Sequence, residues 1–280
     1  VSTVTDVASR PGPVDPATTS GYRDSPSRMG FFTDTSVCIG CKACEVACKE
    51  WNHIPEDGLV LTGMSYDNTG GLGADSWRHV AFIEQRRPAS DGQELRWLMA
   101  SDVCKHCTHA ACLDVCPTGS LFRTEFGTVV VQEDICNGCG YCVPACPYGV
   151  IDQRKGDGRV WKCTMCYDRL TVGLEPACAK TCPTESIQFG PLDELRTRAA
   201  RRVEQLHDAG VAEARLYGHD PNDGVGGGGA FFLLLDEPEV YGLPPSPVVT
   251  TRDLPAMWKH VAVAAATLVA GAVTAFLGQR

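Results

Sequence analysis

The chain has no phosphate-binding loop, no dinucleotide fingerprint, no nucleophile constellation and no pair of carboxylates in a recognisable setting. Turnover of a substrate is therefore expected to belong to a partner. Basic charge is also scarce: 25 Lys and Arg stand against 34 Asp and Glu, a net charge of −9, which argues against a nucleic-acid partner. Residues Val1 to Arg28 contain neither a twin-arginine pair nor an apolar run of signal-peptide type. If the protein is exported, something else is expected to carry it. The same stretch is rich in Pro, Ser, Thr and Asp without apolar periodicity, and a disordered or surface-draped extension is expected there.

Cysteine is abundant. The run Ile135 to Tyr148, ICNGCGYCVPACPY, spaces Cys136, Cys139, Cys142 and Cys146 as C-x2-C-x2-C-x3-C-P, the pattern of bacterial ferredoxins. In that pattern three thiolates converge on one cubic iron–sulfur cluster and the fourth ligates a neighbouring cluster, so one run demands another. The 16 cysteines fall into four quartets without remainder. They are Cys38, Cys41, Cys44 and Cys48; Cys104, Cys107, Cys112 and Cys116; Cys136, Cys139, Cys142 and Cys146; and Cys163, Cys166, Cys178 and Cys182. Disulfide scaffolds are typically short secreted proteins, and zinc needs only two C-x2-C pairs per site, so neither accounts for third and fourth cysteines at fixed offsets.

Adjacency pairs the second quartet with the third, enclosed by the first and fourth. With the fourth cysteine exchanged, Cys104, Cys107 and Cys112 share a cluster with Cys146, and Cys136, Cys139 and Cys142 with Cys116. Likewise Cys38, Cys41 and Cys44 go with Cys182, and Cys163, Cys166 and Cys178 with Cys48. All sixteen are thus expected as iron ligands of four [4Fe-4S] clusters. Lys42 and Lys49 could raise the potential of the first; solvated lysines are the plainer reading. His106 and His109 are not needed as ligands, because their quartet is complete.

The expected fold is α+β: two nested ferredoxin-like modules, each holding two [4Fe-4S] clusters, loop-rich, with one C-terminal transmembrane helix. A strand followed by a helix from about Ala43 past Cys48 frames the first quartet. Trp77 to Glu84 and Leu95 to Ala100 pair across a turn at Pro88 to Gly92, and Thr128 to Gln132 is a strand. The long gap between Cys166 and Cys178 is expected to contain a short helix or turn. Leu192, Leu195, Ala199, Val203 and Leu206 share one face of a surface helix packed on the cluster domain. Gly224 to Gly229 is not a phosphate loop, since no Gly-Lys-Ser/Thr follows, and is expected as a flexible turn into a buried strand at Phe231 to Leu235. Pro238 to Pro255 is expected as an extended linker. Val261 to Leu277 is uncharged, with Trp258 and Lys259 before it and Gln279 and Arg280 after it; a membrane span is expected, with a buried alanine-rich core helix as the alternative.

The segments CIGCKACEVACKEWN (Cys38 to Asn52), CNGCGYCVPACPYGV (Cys136 to Val150) and KCTMCYDRLTVGLEPACAKTCPT (Lys162 to Thr184) resemble the iron–sulfur β subunit of respiratory, membrane-bound formate dehydrogenase. The glycine-rich region Gly224 to Pro244 and the C-terminal anchor extend the resemblance over roughly Phe31 to Arg280. The four-quartet framework alone also occurs in β subunits of nitrate, polysulfide and dimethyl sulfoxide reductases and some hydrogenases. The resemblance implies a catalytic α subunit with a molybdenum- or tungsten-pterin that oxidises formate, and a membrane cytochrome b γ subunit with haem that passes electrons to quinone. It implies that the first and fourth quartets face the catalytic subunit and the second and third the haem. Some relatives lose a ligand at the position of Cys139 and hold a three-iron cluster; this chain keeps it. Location on the cytoplasmic membrane, single-pass in the lipid, with the cluster domain on its outer face, is likewise implied. The rival class is a diffusible multi-cluster ferredoxin, which would need no span.

The expected divisions are residues 1–28 as the extension, 29–100 with 160–237 as the first unit and 101–159 as the second. Residues 238–255 are then the linker and 256–280 the anchor.

Overall fold

The computed structural model describes residues 15–58, 61, 63, 66–89 and 92–278. Ten strands run in order: β1 (Met29–Asp34), β2 (Arg78–Ala89), β3 (Gly92–Val103), β4 (Leu121–Arg123), β5 (Val129–Val131), β6 (Asp152–Gln153), β7 (Val160–Trp161), β8 (Ile187–Pro191), β9 (Arg215–Tyr217) and β10 (Ala230–Leu234). The helices are α1 (Pro16–Thr19), α2 (Ala43–Asn52), α3 (Ala111–Asp114), α4 (Cys142–Ala145), α5 (Tyr167–Leu170), α6 (Ala177–Lys180), α7 (Leu192–Asp208) and α8 (Leu254–Leu277). This mixture of short helices and mostly antiparallel strands is an α+β arrangement.

One sheet, in the order β8-β1-β10-β9, ties the protein together. Its central pair, β1 with β10, is parallel although the strands come from distant parts of the sequence. Strands β1 and β10 alternate their side chains between two packed faces. Phe32 stacks on Phe231 with ring centroids 5.3 Å apart and, with Leu233, meets Leu192, Leu195, Ala199 and Leu206 of α7. The opposite face carries Phe31 into the apolar surroundings of Cys44, Cys48, Cys163 and Cys178, and Phe232 and Leu234 against the β2–β3 hairpin. The periodic helix therefore forms as expected, but it covers the sheet rather than the cysteine loops.

Strand β8 begins five residues beyond Cys182 and runs antiparallel to β1, which ends four residues before Cys38. Below the last ladder pair, Thr33 with Ile187, the Asp34 amide donates to the Ser186 carbonyl at 2.8 Å and the Ser186 hydroxyl donates to the Asp34 carbonyl at 2.7 Å. Those bonds bring the first and last cysteine loops side by side. The small hairpin β4–β5 separates the second quartet from the third, and β6–β7 the third from the fourth.

Of the extension, residues 15–28 are draped on the protein, with Ala17 buried and the Arg28 guanidinium donating to Thr108 and to the His106 carbonyl. Val1 to Val14 lie outside the described residues. The hairpin is longer than expected on both strands; Ser90 and Asp91 also lie outside the described residues. Gly224 to Gly229 is not a flexible turn: Val225 is fully buried, and a Cβ on Gly224 would run into the Pro247 carbonyl. Backbone packs on backbone there, which only glycine permits. Nor is 238–255 an extended linker. It opens with a 3-10 turn at Pro238–Tyr241, buries Tyr241, Leu243 and Val249, and accepts a 2.6 Å hydrogen bond from Tyr217 at Pro244. Its apolar residues, spaced between prolines, seal the edge of the core.

Helix α8 contains a candidate membrane span, Ala256–Leu277, of 22 residues with mean hydropathy 1.9. None of it is buried against the rest of the protein, which removes the buried core helix as an alternative. At 1.5 Å per residue the span measures about 33 Å, enough for a hydrocarbon core of about 30 Å. Gln279 and Arg280 lie outside the described residues.

Candidate iron–sulfur sites

Each quartet begins with a C-x2-C turn, and in each turn the residue before the second cysteine has left-handed backbone. These residues are Gly40 (φ 64°), His106 (φ 44°), Gly138 (φ 71°) and Met165 (φ 59°). The reversal turns the loop back between its two cysteines, and it suits glycine. At His106 and Met165 the conformation costs roughly 1–2 kcal/mol each. Both are buried, and His106 is further held by the Val129 amide, which donates to its Nδ1 at 3.1 Å. That bond occupies one ring nitrogen with a structural task. Burial, helped by Lys162 and Arg123, keeps the ring's pKa well below the usual imidazole range.

The turns gather the thiols into four groups, each drawn from two quartets. Cys38, Cys41 and Cys44 line one cavity with Cys182, while Ser101 and Val80 form its wall. Cys104, Cys107 and Cys112 line another with Cys146, beside Tyr148 and Lys162. Burial pushes the Cys48 thiol well above its ordinary pKa, and the neighbours that push it further are Cys163, Cys178 and Cys166. Burial likewise pushes Cys142 up to about 11, together with Cys116, Cys136 and Cys139. Cys116 is drawn down instead: against its partial burial, the amides of Leu121, Thr118 and Ser120 surround its sulfur with donors.

The groups form a line. Cys44 feels Cys178, Cys163 feels Cys104, and Cys112 feels Cys142. Group one (Cys38, Cys41, Cys44, Cys182) is thus followed by group two (Cys48, Cys163, Cys166, Cys178). Group three is Cys104, Cys107, Cys112 and Cys146, and group four is Cys116, Cys136, Cys139 and Cys142. Of the sixteen thiols only Cys41 and Cys139 are exposed, one in each end group.

Four thiols per group fit a cubic cluster as donor set. A tetrahedral zinc ion would draw its sulfurs to about 3.8 Å of one another. Among the described residues, no three Cys, His, Asp or Glu groups converge closely enough to hold a single metal ion.

Positive charge is arranged differently from the expectation. Lys42 is paired with Glu45 and Asp67, each at 3.1 Å, and Lys49 with Asp57 at 2.7 Å, so neither offers an uncompensated charge to the first group. The cations buried beside the thiols include Arg78, Lys105 and Lys162, each 2% exposed, and Arg123, which donates to the Cys107 carbonyl at 2.9 Å. Sequence reasoning missed all four. Lys105 and Lys162 directly follow or precede a first cysteine, which was a usable signal; Arg78 is brought in by the hairpin alone.

Two family models, each described as a 4Fe-4S dicluster domain, match residues 95–192 and 37–120. Two dicluster domains on sixteen thiols define a four-cluster electron-transfer subunit. The formate dehydrogenase iron–sulfur subunit of Haemophilus influenzae is 42% identical over 243 residues, 85% of this chain and 75% of that protein. The nitrate-inducible formate dehydrogenase iron–sulfur subunit of Escherichia coli is 41% identical over 244 residues, 86% of this chain and 80% of that protein. A subunit of the anaerobic dimethyl sulfoxide reductase of Escherichia coli is 38% identical over 172 residues, 61% of this chain and 78% of that protein.

The protein belongs to the family of formate dehydrogenase iron–sulfur subunits. It carries four [4Fe-4S] clusters and is an electron-transfer component of an oxidoreductase complex.

Proposed function

We infer that the protein conducts electrons from a formate-oxidising catalytic subunit, carrying a molybdenum- or tungsten-pterin, to a membrane cytochrome b with haem, and so to quinone. In this reading each of the four thiol groups holds one cluster, which when bound takes up and passes on single electrons. Groups one and two form the outer ferredoxin-like unit, residues 29–100 with 160–237, and groups three and four the inner unit, residues 101–159.

The observation that carries this reading is the line itself, with its thiols buried or half-buried except at Cys41 and Cys139. A diffusible carrier needs one exposed end, whereas a conductor between two fixed partners needs two. The direction is supported by the root of α8. There Thr251 donates to the Asp114 carboxylate, between Cys112 and Cys116, and Arg252 donates to the Asp223 carbonyl at 2.6 Å. The anchor thus leaves the body beside the second quartet, so groups three and four are read as facing the membrane and group one the catalytic subunit. A single pass of α8, with the clusters on the outer face, completes the reading.

The test is anaerobic purification of the complex in detergent, addition of formate, and electron paramagnetic resonance (EPR). Cluster signals that appear with formate establish the donor and the path together. Signals that appear with dithionite but not with formate leave the wire intact, and mean that it serves another oxidoreductase or that the catalytic partner has been lost.

A further inference from the structure

Arg78 opens strand β2 directly across the hairpin from Val103, the residue before Cys104. It is the largest fully buried side chain among the described residues. Its Nη1 donates to the Ser101 carbonyl at 3.3 Å and to the Ser101 hydroxyl at 3.1 Å. Its Nε and Nη2 have no partner. The Phe31 ring closes one face of the guanidinium, 4.9 Å from Cζ, so these N–H groups have no water to turn to.

A buried guanidinium with idle donors is costly unless something accepts from it. The Ser101 hydroxyl that accepts from Nη1 lies 3.3 Å from the Cys44 sulfur, and the Phe31 ring under the guanidinium packs in one apolar cluster with Cys44, Cys48, Cys163 and Cys178, the four cysteines whose charges act most strongly on Arg78. Burial alone would lower its pKa, but these four together hold it above the ordinary arginine value. They belong to two groups, Cys44 to the first and Cys48, Cys163 and Cys178 to the second. The other buried cations differ. Lys105 is paired with Asp102, Lys162 donates to the carbonyls of Val129 and Cys163, and Arg123 donates to the carbonyls of Gly127, Cys107 and Thr108.

We propose that Arg78 is a fixed positive charge shared by the first two clusters, donating its free N–H groups to their sulfurs and raising the reduction potentials of both. A cluster held by four thiolates is anionic and gains one more negative charge on reduction. A buried cation beside it stabilises the reduced form more than the oxidised form. Because arginine does not lose its proton at accessible pH, the electron arrives without proton uptake by this residue. The effect keeps both entry clusters reducible as a pair and leaves groups three and four to other residues. This inference rests on the grouping of thiols proposed above.

The experiment is an EPR-monitored redox titration of the purified complex. The first two clusters are assigned beforehand with Cys41→Ser and Cys166→Ser; if these disturb the clusters of groups three and four instead, the grouping fails, whatever Arg78 does. With the assignment intact, Arg78→Gln is expected to lower both potentials by at least a tenfold change in the one-electron equilibrium, 59 mV. The other two should not move, and Arg78→Lys should recover most of the shift. The proposal is overturned if both potentials stay in place, if only one falls, or if the lysine variant falls as far as the glutamine one. Should Arg78→Gln fail to assemble, pulsed EPR on the unaltered complex with 15N-labelled arginine decides: nitrogen coupling on both reduced clusters is expected, and its absence from either refutes the shared role.

Discussion

The Cys44 sulfur lies 3.3 Å from the Ser101 hydroxyl oxygen, which also accepts from Arg78. Once Cys44 is a thiolate, the hydroxyl can only donate to it, and the bond favours added negative charge. A neutral hydrogen bond contributes roughly 0.5–1.5 kcal/mol, and 1.4 kcal/mol equals 59 mV for one electron. Ser101→Ala is therefore expected to lower the potential of the first cluster by about 20–60 mV, read by redox titration. Since only Arg78 is proposed to reach both, the second cluster should move less.

Replacing Cys182 with serine should alter the EPR signal of the cluster shared with Cys38, Cys41 and Cys44. The signal of the cluster shared by Cys48, Cys163, Cys166 and Cys178 should persist. Loss restricted to the latter would mean that Cys182 serves its own quartet, against the cavity it lines.

Phe231 is fully buried, stacked on Phe32 and covered by α7. Phe231→Ala removes a ring from the layer that fixes β1 beside β10, at a cost of about 3–5 kcal/mol. The expected outcome is a lower thermal midpoint together with reduced iron content, because β1 leads directly into the first cysteine loop. A variant with a native midpoint would show that the sheet does not hold the cluster loops.

Gly224→Ala tests the packed glycine segment. Its Cβ would collide with the Pro247 carbonyl, so the 238–255 strap is expected to loosen and limited proteolysis to cut there first. Cleavage no faster than in the unaltered protein would count against close packing as the reason for that glycine.

Deleting residues 254–280 should release the protein from the membrane fraction with its iron content unchanged, since no part of the span packs on the body. Iron lost in parallel with membrane attachment would mean that the helix supports the cluster domain.

How much of this could be read from the sequence differs from element to element. The sixteen thiols, their quartets and the exchange of the fourth cysteine follow from local spacing, because a cube imposes a short, repeating geometry on the loops that bind it. The span at α8 and the apolar face of α7 are legible for the same reason, as periodicity and length are local properties. The role of Gly224 to Gly229 was not legible, since composition reports freedom and cannot report the backbone that lies against it. The packed strap at Tyr241, Leu243 and Val249 was hidden by its prolines.

By itself, then, the sequence determined the number of clusters, sixteen thiols at ferredoxin spacing and one segment long and apolar enough to cross a membrane. Only the tertiary structure decided the order of the thiol groups, the choice of Cys41 and Cys139 as exposed ends, and the burial of Arg78 against Phe31 and Ser101. Those properties arise from strands paired across long stretches of sequence, β1 with β10 and β2 with β3. Electrostatic influence depends on distance through space and on exclusion of water, and neither is written in the separation of residues along the backbone.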